Sequence, residues 1–395
     1  MDKLRVLSIY EGFFAGGARE LHTTVVRELH AAGGQRHSVL SLHRAVLRES
    51  LLQNIRYDAR SRSLRAAGVR VGTLGRPAQG SDPTSFSESE IASAARHVTR
   101  NDIILSLKEQ PLHLVNQPGF PDRPVVVCLH RSDPQNQGRA LTELLAAIGA
   151  GRVAAVICCA ESTRANYLLA GVPASLLTVV PNGVDLARFR PAALTARRAL
   201  RRELGVPAGA ELVVFAARHD WMKNVPLFLA AARDFLEGRR KGQIVMCGAG
   251  MSMTNSVLCG QLGEAFADRP DLLRRLSTLG VRDDMPAVYA AADVVALTST
   301  GGEAAPLCLI EGMMCGAVPV ATDVGDCALI VEGHGIICEP EPAAISAAWT
   351  EAVSRRREWT PALGRSRPRF SHTRMAAMYA AVIDRAGQRS VASPI

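Results

Sequence analysis

The sequence predicts an α/β protein built from two Rossmann-like domains facing each other across a cleft. Three observations carry that expectation. At 395 residues the chain exceeds what one ordinary core organises, so two domains are the default. Short apolar, β-branched runs alternate with longer helical patterns throughout, the signature of parallel sheets with crossover helices. The alternation pauses at Pro181-Asn182-Gly183-Val184-Asp185 and Phe189-Arg190-Pro191, a turn-rich connector, and then restarts.

Before the connector, strands are expected at Leu4–Tyr10, His37–Leu42, Val69–Leu74, Asp102–Leu107, Pro124–Leu129, Val153–Cys159 and Leu177–Val180. Helical patterns at Ala18–Ala32, Ser87–Thr99, Arg139–Ala150 and Ser162–Ala170 lie between them. After it come an Arg-rich helix, Leu194–Leu204, and strands at Glu211–Ala217, Gln243–Cys247, Asp293–Leu297, Val318–Ala321 and Gly335–Cys338. The expected division is therefore 1–190 and 191–368, with 369–395 as a C-terminal helix crossing back to the first domain and a tail.

Composition narrows the function classes. Hydrophobic residues make up 48% and charged residues 21%, as in a soluble globular enzyme, and no apolar run reaches membrane-span length. The start, Leu4 to Tyr10, is too short and broken for a signal peptide, which places the protein in the cytosol. Nine cysteines, most in apolar runs (Cys128, Cys158, Cys159, Cys247) and without paired Cys-x-x-Cys motifs, read as buried reduced thiols. The net charge of +9 invites a nucleic-acid or membrane partner, yet only Lys3, Lys108, Lys223 and Lys241 among the 46 basic residues are lysine. The excess is N-terminal and densest from Arg56 to Arg76, where a solvated helix face is the alternative to a binding surface.

Ligands in such sheets gather at the carboxyl ends of the strands, so the loops there carry the chemistry. After the first strand, Glu11-Gly12-Phe13-Phe14-Ala15-Gly16-Gly17 enters a helix. Gly16 and Gly17 let backbone N–H groups approach an anion or hydroxyl, or simply make a tight turn. In Ala217-Arg218-His219-Asp220-Trp221-Met222-Lys223, Arg218 and Lys223 can converge on one diphosphate, and fixed cations stabilise a departing nucleoside diphosphate. Gly248-Ala249-Gly250 lacks the third glycine of a dinucleotide fingerprint, because residue 253 is methionine. Then comes Gly301-Gly302-Glu303-Ala304-Ala305-Pro306-Leu307-Cys308-Leu309-Ile310-Glu311. Glu303 precedes a helix beginning near Pro306 and can accept from sugar hydroxyls, while Glu311 can accept from a ribose diol.

Pro181-Asn182-Gly183-Val184-Asp185, Arg218 with Lys223, Asp283-Met285-Pro286 with Tyr289 and Ala292-Asp293, and Glu303 with Glu311 followed by Cys315-Gly316 together resemble the retaining family-4 glycosyltransferases of the GT-B fold. The resemblance implies Arg218 and Lys223 on the donor diphosphate, Glu303 on the sugar and Glu311 on the ribose. It also implies His130 near the sugar, with Gly16, Gly17, Ala305, Pro306 and Leu307 lining the donor. Ala305-Pro306 replaces the family's Phe-Gly pair, and proline lacks an N–H, so one donor to the ligand is missing. The implied reaction is retaining hexosyl or pentosyl transfer from a UDP-sugar co-substrate, without a cofactor. No Asp-x-Asp occurs, which argues against a metal-bridged diphosphate.

Three acids at strand ends, Glu11, Glu109 and Asp133, suit a cationic acceptor, unless arginines such as Arg131 neutralise them. With His130 they form the expected acceptor site. Tyr10 to Arg19, Ser106 to Pro111 and Leu129 to Pro134 are similar to the aminoglycoside-antibiotic glycosyltransferases. That similarity implies paromamine or a related 2-deoxystreptamine pseudodisaccharide as acceptor, and UDP-glucose, UDP-kanosamine or UDP-xylose as donor. The partners expected are these two small molecules, with neither nucleic acid nor stable membrane association. A lipid acceptor reached through the Arg56–Arg76 segment, a sugar-nucleotide epimerase or phosphorylase, and a silent binding module are the competing readings.

Overall fold

The structure, a computed structural model, describes residues 3–392 except 15, 49–50, 78–81 and 83. Two compact units emerge: Met1–Gly183 together with His372–Ile395, and Val184–Ser371. The boundary falls inside the turn-rich connector because Val184 already belongs to the second unit. Its N–H donates to Phe370 O at 2.8 Å, and it bridges Ser371.

The first unit runs β1 (Leu4–Tyr10), α1 (Gly17–Ala32), β2 (Gln35–His43), an antiparallel hairpin β3 (Ala45–Arg48) and β4 (Leu51–Asn54), α2 (Ala59–Ala66), β5 (Arg70–Arg76) and α3 (Glu88–Val98). It continues β6 (Ile103–Leu107), α4 (Leu112–Val115), β7 (Val125–Leu129), α5 (Ala140–Gly149), β8 (Val153–Cys158), α6 (Glu161–Leu169) and β9 (Leu177–Val179). All strands but the hairpin form one sheet in the order β5-β2-β1-β6-β7-β8-β9, every pair parallel. Where sequence motifs allow, the helices are capped. Ser87 accepts from Glu90 N–H while the Glu90 carboxylate accepts from Ser87 N–H, a reciprocal cap that starts α3.

The second unit runs α7 (Leu194–Glu203), β10 (Glu211–Ala216), α8 (Val225–Gly238), β11 (Gly242–Cys247), α9 (Ser256–Phe266), α10 (Pro270–Leu273), β12 (Leu276–Thr278) and α11 (Met285–Ala291). Then follow β13 (Val294–Leu297), α12 (Leu307–Met314), β14 (Val318–Thr322), α13 (Cys327–Val331), β15 (Ile336–Cys338) and α14 (Pro342–Ser366). Its parallel sheet has the order β12-β11-β10-β13-β14-β15. Burial on both faces follows the two-residue strand period. Leu212 and Val214 join the cluster under α11 and α12, whereas Val213 and Phe215 join that under α8 and α14. There Trp349 packs its ring 5.3 Å from Phe228 and 5.8 Å from Phe235. Each such aromatic pair contributes about 0.5–1.5 kcal/mol beyond its area.

The last helix, α15 (His372–Ala392), belongs to the first unit and packs on α1 and β8. Gln35 donates to Asp384 at 2.7 Å, and Gly183 N–H points at Met375 Sδ. The expected tail reaches residues 393–395, which lie outside the described residues. Among the described residues no helix is long and apolar enough to cross a membrane, and all nine cysteines are free thiols.

Both sheets reverse direction of winding once, between β1 and β6 and between β10 and β13. A doubly wound sheet opens its ligand crevice at such a switch point, beyond the carboxyl ends of the two strands. The loops after β1, β6, β10 and β13 are the ones that the sequence marks with Glu11, Glu109, Arg218 with Lys223, and Glu303.

Candidate donor and acceptor loops

In the second unit the β10 and β13 loops are tied into one construction. Thr298 Oγ1 donates to Lys223 O at 3.0 Å, and Thr300 N–H to Met222 O at 3.4 Å. Asn224 holds a left-handed conformation (φ 47°) and caps α8 by accepting from Leu227 N–H. A non-glycine residue in that region is uncommon and marks a loop whose shape is enforced by its surroundings. On the other side, His219 N–H donates to Ala249 O at 2.8 Å. Gly248 permits this approach, because a Cβ there would lie 2.0 Å from Ala217 O.

This construction brings Lys223 onto Glu303. The ammonium contacts Glu303 Oε1, and Ser299 Oγ donates to the same oxygen at 2.7 Å. Both side chains are largely buried, at 14% and 10% exposure. Burial pulls the Lys223 pKa down, but the Glu303 charge, the Cys308 sulfur and the hydrogen bond to Glu303 together outweigh it and the net shift is upward, so the cation persists. Arg218 Nη2 lies 3.0 Å from Asp220 Oδ2, half-buried at the same loop. The Glu303 backbone rests on the loop after β14. Asp326 N–H donates to Ala304 O at 2.7 Å, and Gly325 (φ 57°) approaches so closely that a Cβ would meet Ala304 O and Glu303 O at 2.6 Å.

Glu311 lies on α12, hydrogen-bonded to the buried Tyr289 phenol, whose pKa burial and then Glu311 push well up. The Cys308 thiol, pushed up to about 12 by burial, lies within electrostatic reach of Lys223, Glu303 and Glu311. Pro306 is the residue that precedes α12, and Leu307 its first. The helix therefore opens with Leu307 N–H, and Pro306 contributes no donor. The structure thus gathers Lys223, Glu303 and Glu311 at one end of one sheet, with Arg218 on the same loop as Lys223. Ser299, Tyr289 and Gly325 complete the arrangement. Among the described residues no three His, Cys, Asp or Glu side chains are grouped as metal ligands.

In the first unit Gly16 precedes α1 and its carbonyl accepts from Arg19 and Glu20 N–H at 3.1 Å, with Gly17 exposed at the first helical position. Arg19 is buried between rings, 5.0 Å from the Tyr10 centroid and 4.4 Å from that of Phe14. Lys108, after β6, adopts φ 66°, held by its N–H on Cys128 O and by Ser106 Oγ on its own carbonyl. His130, after β7, is pushed down to about 3 by burial and by the Lys108 and Arg19 charges, so its imidazole is neutral.

The three acids differ in their availability. Glu109 is 1% exposed; its carboxylate accepts from the Tyr167 phenol and from Gln137 at 3.3 Å, and burial raises its pKa. Asp133 is gripped by Arg131 through two hydrogen bonds of 2.7 and 2.8 Å, the arginine pairing weighed from the sequence. Glu11 is half-buried and lines a cavity of about 360 Å³ with Gln110, His113 and Gln137. The three acids therefore do not form one open carboxylate cluster.

Two family models match the chain, glycosyltransferase family 4 over residues 15–188 and glycosyl transferases group 1 over residues 210–355. Among curated proteins, the D-inositol 3-phosphate glycosyltransferase of Corynebacterium jeikeium is 30% identical over 171 residues, 40% of each chain. That of Xylanimonas cellulosilytica is 30% identical over 266 residues, 58% of each. The chain thus spans about two fifths to three fifths of the length of these relatives. Among solved structures, Anabaena Alr3699/HepE in complex with UDP and glucose superposes with a TM-score of 0.78 at 20% identity, covering 96% of this chain and 99% of that one. Sucrose-phosphate synthase from Thermosynechococcus elongatus gives 0.74 at 18%, covering 99% and 100%. With both sheets wound alike and each half matched by its own model, the chain belongs to the GT-B glycosyltransferases of the family 4 and group 1 type.

Proposed function

We propose that the protein is a retaining, metal-independent glycosyltransferase that moves a sugar from a UDP-sugar to a small cyclitol, with an aminocyclitol such as paromamine as acceptor. The observation that carries the reading is the Lys223–Glu303 contact at the end of β10 and β13, with Arg218 beside it and Glu311 on the following helix.

In this reading Lys223 and Arg218 hold the diphosphate, and their charge stabilises it as it departs. Glu303 exchanges its ammonium partner for sugar hydroxyls, and Glu311 receives the ribose. The acceptor oxygen attacks the anomeric carbon on the face the phosphate leaves. The C1–O bond to phosphate breaks as the new C1–O bond forms, and the acceptor proton passes to a phosphate oxygen. His130, kept neutral, serves as a hydrogen-bond partner near the sugar.

The aminocyclitol assignment is supported by Glu11 beside amide side chains in the first-unit cavity. A second reading, a phosphorylated cyclitol, is favoured by the names of the curated relatives and by Arg139 and His43 on the same cavity. Mass spectrometry of purified protein with UDP-glucose, UDP-kanosamine and UDP-xylose against paromamine and inositol phosphate separates the two. Anomeric configuration by NMR and turnover in excess chelator test retention and metal independence. Transfer to inositol phosphate alone refutes the aminocyclitol assignment, and no transfer from any UDP-sugar refutes the reaction.

A further inference from the structure

At the end of the first sheet opposite these loops lies a cavity of about 620 Å³. Its walls come from the starts of β1, β2 and β5 and the turn before β6, so it does not share the carboxyl-end crevice. Its volume falls within the roughly 300–1,000 Å³ typical of small-molecule sites. Arg36, Arg65, Arg70 and Arg100 surround it, and among the described residues none of the four is paired with a carboxylate. Arg65 is aimed by its hydrogen bond to Val71 O at 2.7 Å. Arg5, also in the wall, is neutralised by Asp102, which accepts from its guanidinium at 3.1 and 2.5 Å.

The surrounding histidines register the same positive field. His30 is pushed down by burial and by Arg36 and Lys3, and His97 by burial and by Arg100 and Arg96. His37 is 2% exposed and lines the cavity. Because Gln35 Nε2 donates to Asp384, its Oε1 faces His37 Nε2 at 2.9 Å. That fixes the N–H on Nε2 and leaves Nδ1 as a buried acceptor with no hydrogen-bond partner. The His37 ring thus lies buried behind the cation-lined surface of the cavity.

We propose that this cavity binds a small phosphorylated molecule, its phosphate held by the guanidinium groups that line it. Planar guanidinium forks recognise phosphate bidentately, and four unpaired ones supply the charge for a dianion. The volume, open to solvent and rimmed by four exposed arginines, suits a compact anionic ligand. The site stands whether or not the acceptor assignment above is right, because it lies at the other end of the sheet.

The test is calorimetric titration of the full chain at physiological salt with glucose 6-phosphate, and with inorganic pyrophosphate as a second compact phosphate. Arg36→Ser/Arg70→Ser removes two exposed guanidinium groups, and Arg36→Lys/Arg70→Lys keeps the charge without the fork. Saturable binding near one equivalent is expected, weaker by tenfold or more in the serine variant and intermediate in the lysine variant. The melting temperature without ligand and UDP-sugar turnover should stay unchanged. Co-sedimentation with phosphatidylcholine vesicles, with and without phosphatidylinositol 4-phosphate, separates a headgroup from a free phosphate ester. Binding of the vesicles alone, lost in the serine variant, assigns the ligand to a lipid headgroup. Equal affinity in wild type and the serine variant, or no saturable binding in either format, overturns the proposal.

Discussion

Replacing Lys223 by methionine keeps most of the side-chain volume and removes the cation from Glu303. Two separate losses are expected. The first is in stability. Both partners are largely buried, at 14% and 10% exposure, so a carboxylate loses its counter-charge in a poorly hydrated place. Removing one member of a buried pair costs about 3–5 kcal/mol, and the surviving Ser299 bond at 2.7 Å points to the lower end, about 3 kcal/mol. That is a large part of a total stability of about 5–15 kcal/mol, yet leaves a folded protein. The second loss is in turnover. Withdrawing one preorganised charge from a departing diphosphate lowers kcat roughly 10²–10³-fold, about 2.7–4 kcal/mol. The variant Lys223→Met/Glu303→Gln separates the two: it recovers stability, because neither charge is left alone, but not turnover. Urea unfolding and single-turnover UDP-sugar kinetics provide the readouts. Because the Lys223 pKa is raised in the fold, the stability advantage of wild type is complete below about pH 10.5 and fades as pH climbs through the raised value. Turnover of Lys223→Met within threefold of wild type would refute the donor-site reasoning.

Three further outcomes are expected. Gly325→Ala places a Cβ 2.6 Å from Ala304 O and Glu303 O at a left-handed φ of 57°, and should cost about 1–3 kcal/mol in thermal unfolding while lowering kcat; a stable, fully active variant contradicts the support role. Tyr289→Phe removes the phenol bonded to Glu311 and should raise the donor KM about tenfold with little change in kcat, whereas a kcat loss at constant KM points away from ribose binding. His37 and His130 are held neutral, at about 3, and His22 is pushed the same way by burial. The unfolded chain takes up those protons first, so stability should fall as pH drops below about 6.5, by about 2 kcal/mol per histidine by pH 5. A urea midpoint flat from pH 7 to 5 contradicts that assignment.

The sheet strands were legible because their apolar runs are long and sit between helical patterns. Leu4–Tyr10 appears as expected, and most others shift by one or two residues at an end. The β3–β4 hairpin escaped notice because Ala45–Arg48 and Leu51–Asn54 are short and partly polar, and β12 because Leu276-Ser277-Thr278 has no apolar run. In the donor loops the chemistry is in the residue types: a rare lysine, two glutamates and paired glycines stand out without a structure. Ser299 and Gly325 do not, because only the fold sets the Ser299 hydroxyl on the Glu303 carboxylate and Gly325 against its backbone, and the motif that includes Tyr289 does not reveal its bond to Glu311. The acceptor loops were harder for the same reason. Charge at a strand end identifies Glu109 and Asp133, but only folding puts Tyr167 and Gln137 on one and sets the Arg131 fork on the other.

The discontinuity of the first unit also bears on how the chain is made. Residues up to Gly183 leave the ribosome well before α15, whose Met375 and Asp384 they contact through Gly183 and Gln35. The Val184–Ser371 stretch is contiguous, and its two ends are hydrogen-bonded to one another through Val184 and Phe370. Vectorial synthesis therefore lets the second unit finish first, while the earlier-made half waits with the surface meant for α15 uncovered. Chaperone demand during expression should track that waiting interval, and a circular permutant that places α15 ahead of β1 should shorten it.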